Sequence, residues 1–533
     1  MSTFTGTGRL ARFIVRQERV RLSVWVSVLA VVPIVTANAF MGLYPDEASR
    51  QGLAFTVSSS PALTSLLGPL YDSSIGGLTA WRAGTLGTFI VALMAVLTMI
   101  RHTREEEETG RRELLGSTVL GRNAPLAASL SVTIGAGIVL GSILTAGLVG
   151  VGLPIGGSVA FGLGFLGVTI VFAGVGALAA QFTDAASTAR GLAIGAAGFA
   201  FLLRMGGDSG GESLEWMSWL SPIGWFSRLR PFAGEEWWVL GLWVGLGTIM
   251  TLGAVAIASR RDVGAGAFPP RPGPANAGAR LGSPLGLAWR LHRGSVMGWT
   301  AGLAVLGGVY GAAGDSVSDM LEGNPQLMEI FEQLGGEQGL TDAFFSAVVG
   351  IIAIVTSTYA IRAVLRLRVE EEGLRADPVL ATATPRVGWA WSHLLFGVLG
   401  PVLILAVAGI VAGATYGAIA GDVAGQATRV LGAAMVQLPA VWVLTGTAMA
   451  LYGLAPNRTG LSWGILVMCL VLGQLGQILQ FPQWSLNLSP FTHIPLFPAE
   501  DLEVLPLAIL AAISAALVGA GLVGFRRRDV DSG

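Results

Sequence analysis

The sequence predicts an all-α polytopic membrane protein, with twelve transmembrane helices arranged as two parallel six-helix repeats and both termini cytoplasmic. Three observations carry this. Apolar runs of about 20 residues, the length a helix needs to cross a hydrocarbon core, recur from end to end. Charged residues make up only 12% of the chain, about half the share of a soluble domain, and the mean hydropathy is +0.67. Short blocks of sequence also recur in the same order at a nearly constant offset.

Taken in order, the first run centres near residue 32. It follows a basic segment, Arg9 to Arg21, and closes on "ANAF" (Ala37 to Phe40), which imitates a cleavable signal peptide. A copy of the same unit recurs inside the chain at Trp299, where no signal peptidase acts, so we expect an uncleaved basic amphipathic helix leading into the first span. Further runs centre near residues 90, 137, 169, 197 and 248, then near 304, 352, 403, 440, 471 and 514. The third, fourth and ninth are rich in glycine and have soft edges. Between the two sets lies "GAGAFPPRPGPANAGARLGSP", whose proline and glycine predict a flexible cytoplasmic linker over 266–284. The halves are therefore 1–265 and 285–533.

Arginine sets the orientation. All 32 cations are arginine, and with twelve spans 26 of them fall on one side, which the positive-inside rule makes the cytoplasm. The opposite side is acidic: Ala312 to Asp342 holds Asp315, Asp319, Glu322, Glu329, Glu332, Glu337 and Asp342 and no arginine. Both termini are therefore expected on the cytoplasmic side of a cell membrane.

The repeat is visible residue by residue. Arg16, Arg19 and Trp25 recur 274 residues later as Arg290, Arg293 and Trp299. Arg104, Glu106, Glu107, Glu108 and Arg122 recur at an offset of 264 as Arg368, Glu370, Glu371, Glu372 and Arg386. "LSPIGW" at Leu220 matches "LSPFTH" at Leu488, and "SRRDVGAG" at Ser259 matches "FRRRDVDSG" at Phe525. Six spans per half, an even number, make the halves parallel.

Several chemistries are excluded or disfavoured. A P-loop needs a lysine for the β- and γ-phosphates, and the chain has none. Cys469 is alone, and His102, His292, His393 and His493 have no ligand spacing, so no metal site is expected. No catalytic constellation stands out, and no nucleic-acid partner is expected. The span interiors read as free of Asp, Glu and Arg, which counts against a proton relay.

The most charged segments are the two that follow the second and eighth spans, 101–122 and 362–388. On a helix, "RHTREEEETGRRELLG" would pair Arg101 with Glu105, Arg104 with Glu108, Glu107 with Arg111 and Glu108 with Arg112, all at i,i+4. Gly110 and Gly373 break both copies, predicting helix, turn and short helix. The apolar Leu114, Leu115, Val119 and Leu120 suit a partner surface or the underside of the bundle.

With its glutamates, glycine, apolar pair and arginine before a third span, "EEETGRRELLGSTVLGR" resembles the coupling-helix loop of type-2 ABC exporter permeases. The fused twelve-span length, the basic N-terminal segment and "SP" after spans five and eleven resemble in particular the permeases of polyketide-antibiotic and multidrug exporters. The resemblance implies that two copies of a separate ABC ATPase subunit bind ATP and Mg, that this chain binds no cofactor, and that closure of the ATPase pair drives alternating access for a small amphipathic or hydrophobic substrate within the lipid. Carried onto this sequence, it places ATPase docking on Glu106, Glu107, Glu108, Gly110, Glu113 and Leu114 in the first half. In the second half it places docking on Glu370, Glu371, Glu372, Gly373 and Arg375. Aligning the glycines puts Ala376 opposite Glu113, which implies unequal docking sites. Gln474, Gln477 and Gln480, at i,i+3 spacing in the eleventh span, are candidate pathway residues or interhelical hydrogen-bonding groups. The alternatives are an ion-coupled twelve-span transporter and, with less to favour it, a polytopic membrane enzyme.

Overall fold

The computed structural model describes residues 3–529 apart from 60, 113–118, 210, 263, 269–275, 277, 315–335, 476–481 and 501. Among the described residues every regular element is helical, and eleven helices are long and apolar enough to cross a membrane. The chain divides into two compact units, Met1–Gly273 and Pro274–Gly533.

The first unit holds α1 (Thr7–Leu43), α2 (Ile75–Glu108), α3 (Ala124–Gly150), α4 (Ile155–Phe182), α5 (Ala186–Asp208) and α6 (Val239–Ala258). The basic amphipathic segment and the first span are one continuous helix, α1. Val20, Val24, Val28, Val31 and Val35 form an exposed stripe along it, a surface that suits lipid, where apolar side chains need no cover. Its other face buries Leu10 and Ile14 against Ala124, Ala128 and Val132 of α3. α4 is the hub, packed on α2, α3 and α6. Small residues allow this: a Cβ on Gly162 would collide with the carbonyl of Gly141, so α3 and α4 meet backbone to backbone. Phe161 and Phe165 stack at 5.0 Å, and Phe226 meets both edge-on at 5.4 and 5.9 Å.

The second unit holds α7 (Pro284–Ala312), α8 (Thr341–Glu372), α9 (Arg386–Ala420), α10 (Val423–Leu454), α11 (Leu461–Leu475) and α12 (Val504–Arg527). α7 packs on α9, α9 on the first part of α10, and α12 on its second part, with α8 against both α9 and α10. α10 breaks at Gln437, two residues before Pro439, whose ring removes a backbone donor. Gly453 and Gly521 allow close contact between α10 and α12.

Two expectations are revised, and a third runs past the described residues. The eleventh span is helical over Leu461–Leu475 and its continuation lies outside the described residues, as does most of the acidic segment 312–342. The predicted linker is anchored at its start: Ala267 and Phe268 donate backbone hydrogen bonds to the carbonyls of Gln181 and Phe182 at 2.8 and 3.1 Å. The interior of α5 is not free of charge. Arg204 and Asp208 face each other at 3.6 Å with both side chains enclosed, a pairing that i,i+4 spacing permits once neighbouring carbonyls share the guanidinium.

Candidate functional site

Each unit carries its charged segment at the far end of its second helix, and in each the middle glutamate of the triplet is the best-held group. Glu107 is 1% exposed. The Arg261 guanidinium grips it with both forks, at 2.9 and 2.8 Å, while its Nε donates to Gln181 Oε1 at 2.7 Å. Arg104 and Arg112 also pair with Glu107. Arg122 Nη2 in turn donates to the carbonyl of Arg261 at 2.8 Å. In the second unit Glu371 is 6% exposed and is gripped by Arg528 at 2.8 and 2.6 Å. Tyr452 donates its hydroxyl to Glu371 at 2.8 Å, and Arg386 donates to the carbonyl of Arg528 at 3.0 Å.

The same parts recur. Glu107 and Glu371, like Arg122 and Arg386, stand 264 residues apart, and Arg261 and Arg528 are each the arginine before the aspartate in "RRD". A bidentate guanidinium–carboxylate pair is directional as well as strong, so each clamp fixes its charged segment to the chain just beyond the last helix of its own unit. Sequence reasoning quoted both "RRD" blocks without assigning them a partner. Their coincidence with the glutamate repeat was the available signal.

Local geometry explains why the predicted ion pairs change in the first unit. Arg101–Glu105 forms a π turn, and its wider winding rotates the following side chains out of i,i+4 register. Arg101 Nε and His102 Nε2 therefore reach Glu18 of α1 at 2.8 and 3.1 Å, and Arg190 reaches Glu105 at 2.9 Å. Glu108 accepts from the Ala186 amide at 2.9 Å, capping α5. In the second unit the winding stays regular, and Arg366–Glu370 and Arg368–Glu372 form at i,i+4, at 2.7 and 2.6 Å.

Burial separates the expected docking residues. Glu107, Glu370 and Glu371 are buried in ion pairs, and Glu106 is half-buried beside His102. Glu108, Glu372, Gly373, Leu374 and Arg375 are exposed. Val119 is exposed, whereas Leu120 packs on the α1–α3 cluster. Glu113 and Leu114 lie outside the described residues, as do Gln477, Gln480 and the side chain of Gln474.

The turn also corrects the alignment of the two copies. The left-handed residues are Gly110 (φ 72°) and Leu374 (φ 55°), not Gly373. In that register Asp377, which opens the short helix Asp377–Leu380, takes the place opposite Glu113 that the glycine alignment gave to Ala376.

Electrostatics distinguish the clamps. Burial pulls the Arg261 guanidinium below its ordinary range. Arg112 is pushed down to about 10 by burial first and then by Arg261, Arg104 and Arg122. For Arg528 burial acts in the same direction but is outweighed by Glu371 and Tyr452, and its pKa rises.

These features define a multi-pass membrane protein in which each unit clamps its charged segment to the chain beyond its last helix. Comparison with known proteins places it further. The chain is 43% identical over 531 residues, 99% of its own length and 96% of the relative's, to "Multidrug efflux system permease protein Rv1217c" of Mycobacterium tuberculosis (strain ATCC 25618 / H37Rv). The family described as "Multidrug efflux system permease Rv1217c, C-terminal domain" matches residues 281–526. The chain belongs to this permease family and is a multi-pass protein of the bacterial plasma membrane.

Proposed function

We propose that the chain is the membrane permease of an exporter for amphipathic or hydrophobic compounds, including drugs, and that two copies of a separate ABC ATPase power it. The full-length likeness to a permease named for multidrug efflux supports the cargo class. The observation that carries the coupling is the repeated clamp: Glu107–Arg261 and Glu371–Arg528 tie two exposed turns, at Glu108–Arg111 and Glu372–Arg375, to the chain beyond α6 and α12. In this reading ATP and Mg bind between the partner subunits. Their closure presses on the turns, and the clamps pass the load to the last helices, switching access from one side to the other. Without a clamp the same push would deflect only a solvated turn.

The test is to purify the protein from its native host and to measure drug transport in vesicles. A stoichiometric ATPase that is lost on reversing Glu108 and Glu372 together supports the reading. Transport that persists without any ATPase refutes it.

One observation favours ion-coupled exchange as the second reading. His292 Nε2 and His393 Nδ1 meet at 3.0 Å, both buried, between the first turns of α7 and α9, and a buried titratable pair at the entrance to the spans is a place for a proton to be handed on. Transport driven by a pH gradient and abolished by His393→Asn would select it.

A further inference from the structure

The basic end of α1 is fastened to its unit at three levels. Just before the helix, the chain joins the end of the first charged segment: Gly121 and Asn123 donate backbone hydrogen bonds to the carbonyls of Thr5 and Thr3 at 2.9 and 3.0 Å. The contact is close enough that a Cβ on Gly121 would collide with the Thr3 carbonyl. Leu10 and Ile14 then pack on α3, and the buried Glu18 is held by Arg101 and His102. Together these fastenings decide which face of the helix turns outward. That face carries Arg9, Arg12, Arg16 and Arg19, all exposed, and their spacing of i, i+3, i+7 and i+10 sets them in one line. Among the described residues none of the four has an acidic partner. Glu18 is the one carboxylate of α1, and it is turned inward and neutralised. Beside the arginines Phe13, Val15 and Val20 are half or more exposed.

A cationic line bordered by apolar side chains suits a lipid surface, and continuity decides for that occupant. Phe13 and Val20 lie on the same line as Val24, Val31 and Val35 of the lipid-facing stripe, with no break in the helix between them. The arginines occupy about 15 Å of helix, a distance covered by the headgroup layer and the ~8 Å over which a surface charge acts beyond it. We infer that this face of α1 binds anionic phospholipid of the cytoplasmic leaflet, the guanidinium groups donating to headgroup phosphates and Phe13 and Val15 resting among the upper acyl chains. A cationic group on the headgroup would cancel the attraction, so the lipid selected carries net negative charge. The second half has half the charge: at the offset of 274, Arg16 and Arg19 recur as Arg290 and Arg293, whereas Arg9 and Arg12 become Ser283 and Gly286. Anionic lipid therefore gathers at α1 in preference to α7. The inference goes beyond the export reading and does not depend on any ATPase.

The test attaches a bimane label to Val15→Cys in full-length protein that also carries Cys469→Ser, held in phosphatidylcholine nanodiscs. Nitroxide-bearing phosphatidylglycerol or nitroxide-bearing phosphatidylcholine is titrated in, and each quenches the label on contact. The expected result is half-maximal quenching by phosphatidylglycerol at roughly a tenth of the phosphatidylcholine level, with the gap closing at high salt. Arg9→Gln, Arg12→Gln, Arg16→Gln and Arg19→Gln combined should make the two lipids equal and leave quenching by phosphatidylcholine unchanged, which shows the helix still in place. A label at Trp289→Cys, the matching position on α7, should report a preference of roughly threefold. Equal quenching by the two lipids at Val15→Cys, or a preference that survives the fourfold variant, overturns the inference. So does a preference as large at Trp289→Cys, which would reflect the general charge of that side. A label that neither lipid quenches would place this face in water, as for an acidic protein partner, and also overturns it.

Discussion

Glu107 and Glu371 hold the same place in the two halves of the sequence, yet Glu107 faces three arginines whereas Glu371 faces one arginine and one phenol. The first clamp has a surplus of cations around one carboxylate, and the second is balanced. What repeats is the mechanical link, from the charged segment to the chain past the last helix. What differs is which partner is replaceable. In the first clamp any one arginine can go and the acid remains paired. In the second, neither member has a charged substitute.

That contrast orders the predictions. The largest effect is expected from Glu107→Gln, which leaves three enclosed guanidinium groups without their counter-ion. The cost should be about 3–5 kcal/mol, read as lost resistance to denaturant-induced unfolding of the purified protein. Arg528→Gln should come next, at about 3 kcal/mol because Glu371 is left buried with only the Tyr452 hydroxyl. Arg261→Gln should cost about 1 kcal/mol less than Arg528→Gln or lower still, since Arg104 and Arg112 stay on Glu107. If Arg261→Gln proves the more damaging, the charge-surplus picture is wrong. Tyr452→Phe removes one hydrogen bond but keeps the ring 4.8 Å from the Arg528 guanidinium, and should cost about 1 kcal/mol. The smallest effect belongs to Leu374→Gly. Relief of a left-handed non-glycine residue, about 1–2 kcal/mol, offsets the added freedom of the unfolded chain, so stability should hold or rise by up to about 1 kcal/mol. The converse change, Gly110→Leu, should destabilise.

The helices were legible because each is an apolar run of membrane length, and the break in α10 shows as Pro439. The first charged segment misled because i,i+4 spacing presumes a regular helix, and the π turn at Arg101–Glu105 leaves no plain mark in composition. The regular second copy paired as spacing predicts. Arg261 and Arg528 escaped notice as partners for a different reason. They meet their glutamates across 154 and 157 residues, and pairing at such separation has no local pattern. The glycine alignment failed because Leu374 tolerates the left-handed turn that Gly110 takes without strain. The exposed pair, Glu108 and Glu372, could not be told from buried Glu107 and Glu371 by sequence, since both sets belong to one run of like residues.

The proposed division of labour, with buried acids holding the segments and exposed acids meeting a partner, is tested most directly by one charge reversal. Glu108→Arg with Glu372→Arg is compared with wild type for thermal stability and for co-purification of an ATPase from the native host. The expected result is a folded permease, within about 1 kcal/mol of wild type apart from the lost cap on α5, that no longer retains the ATPase. An ATPase retained in full by the folded double variant would contradict the assignment of these turns as its docking sites.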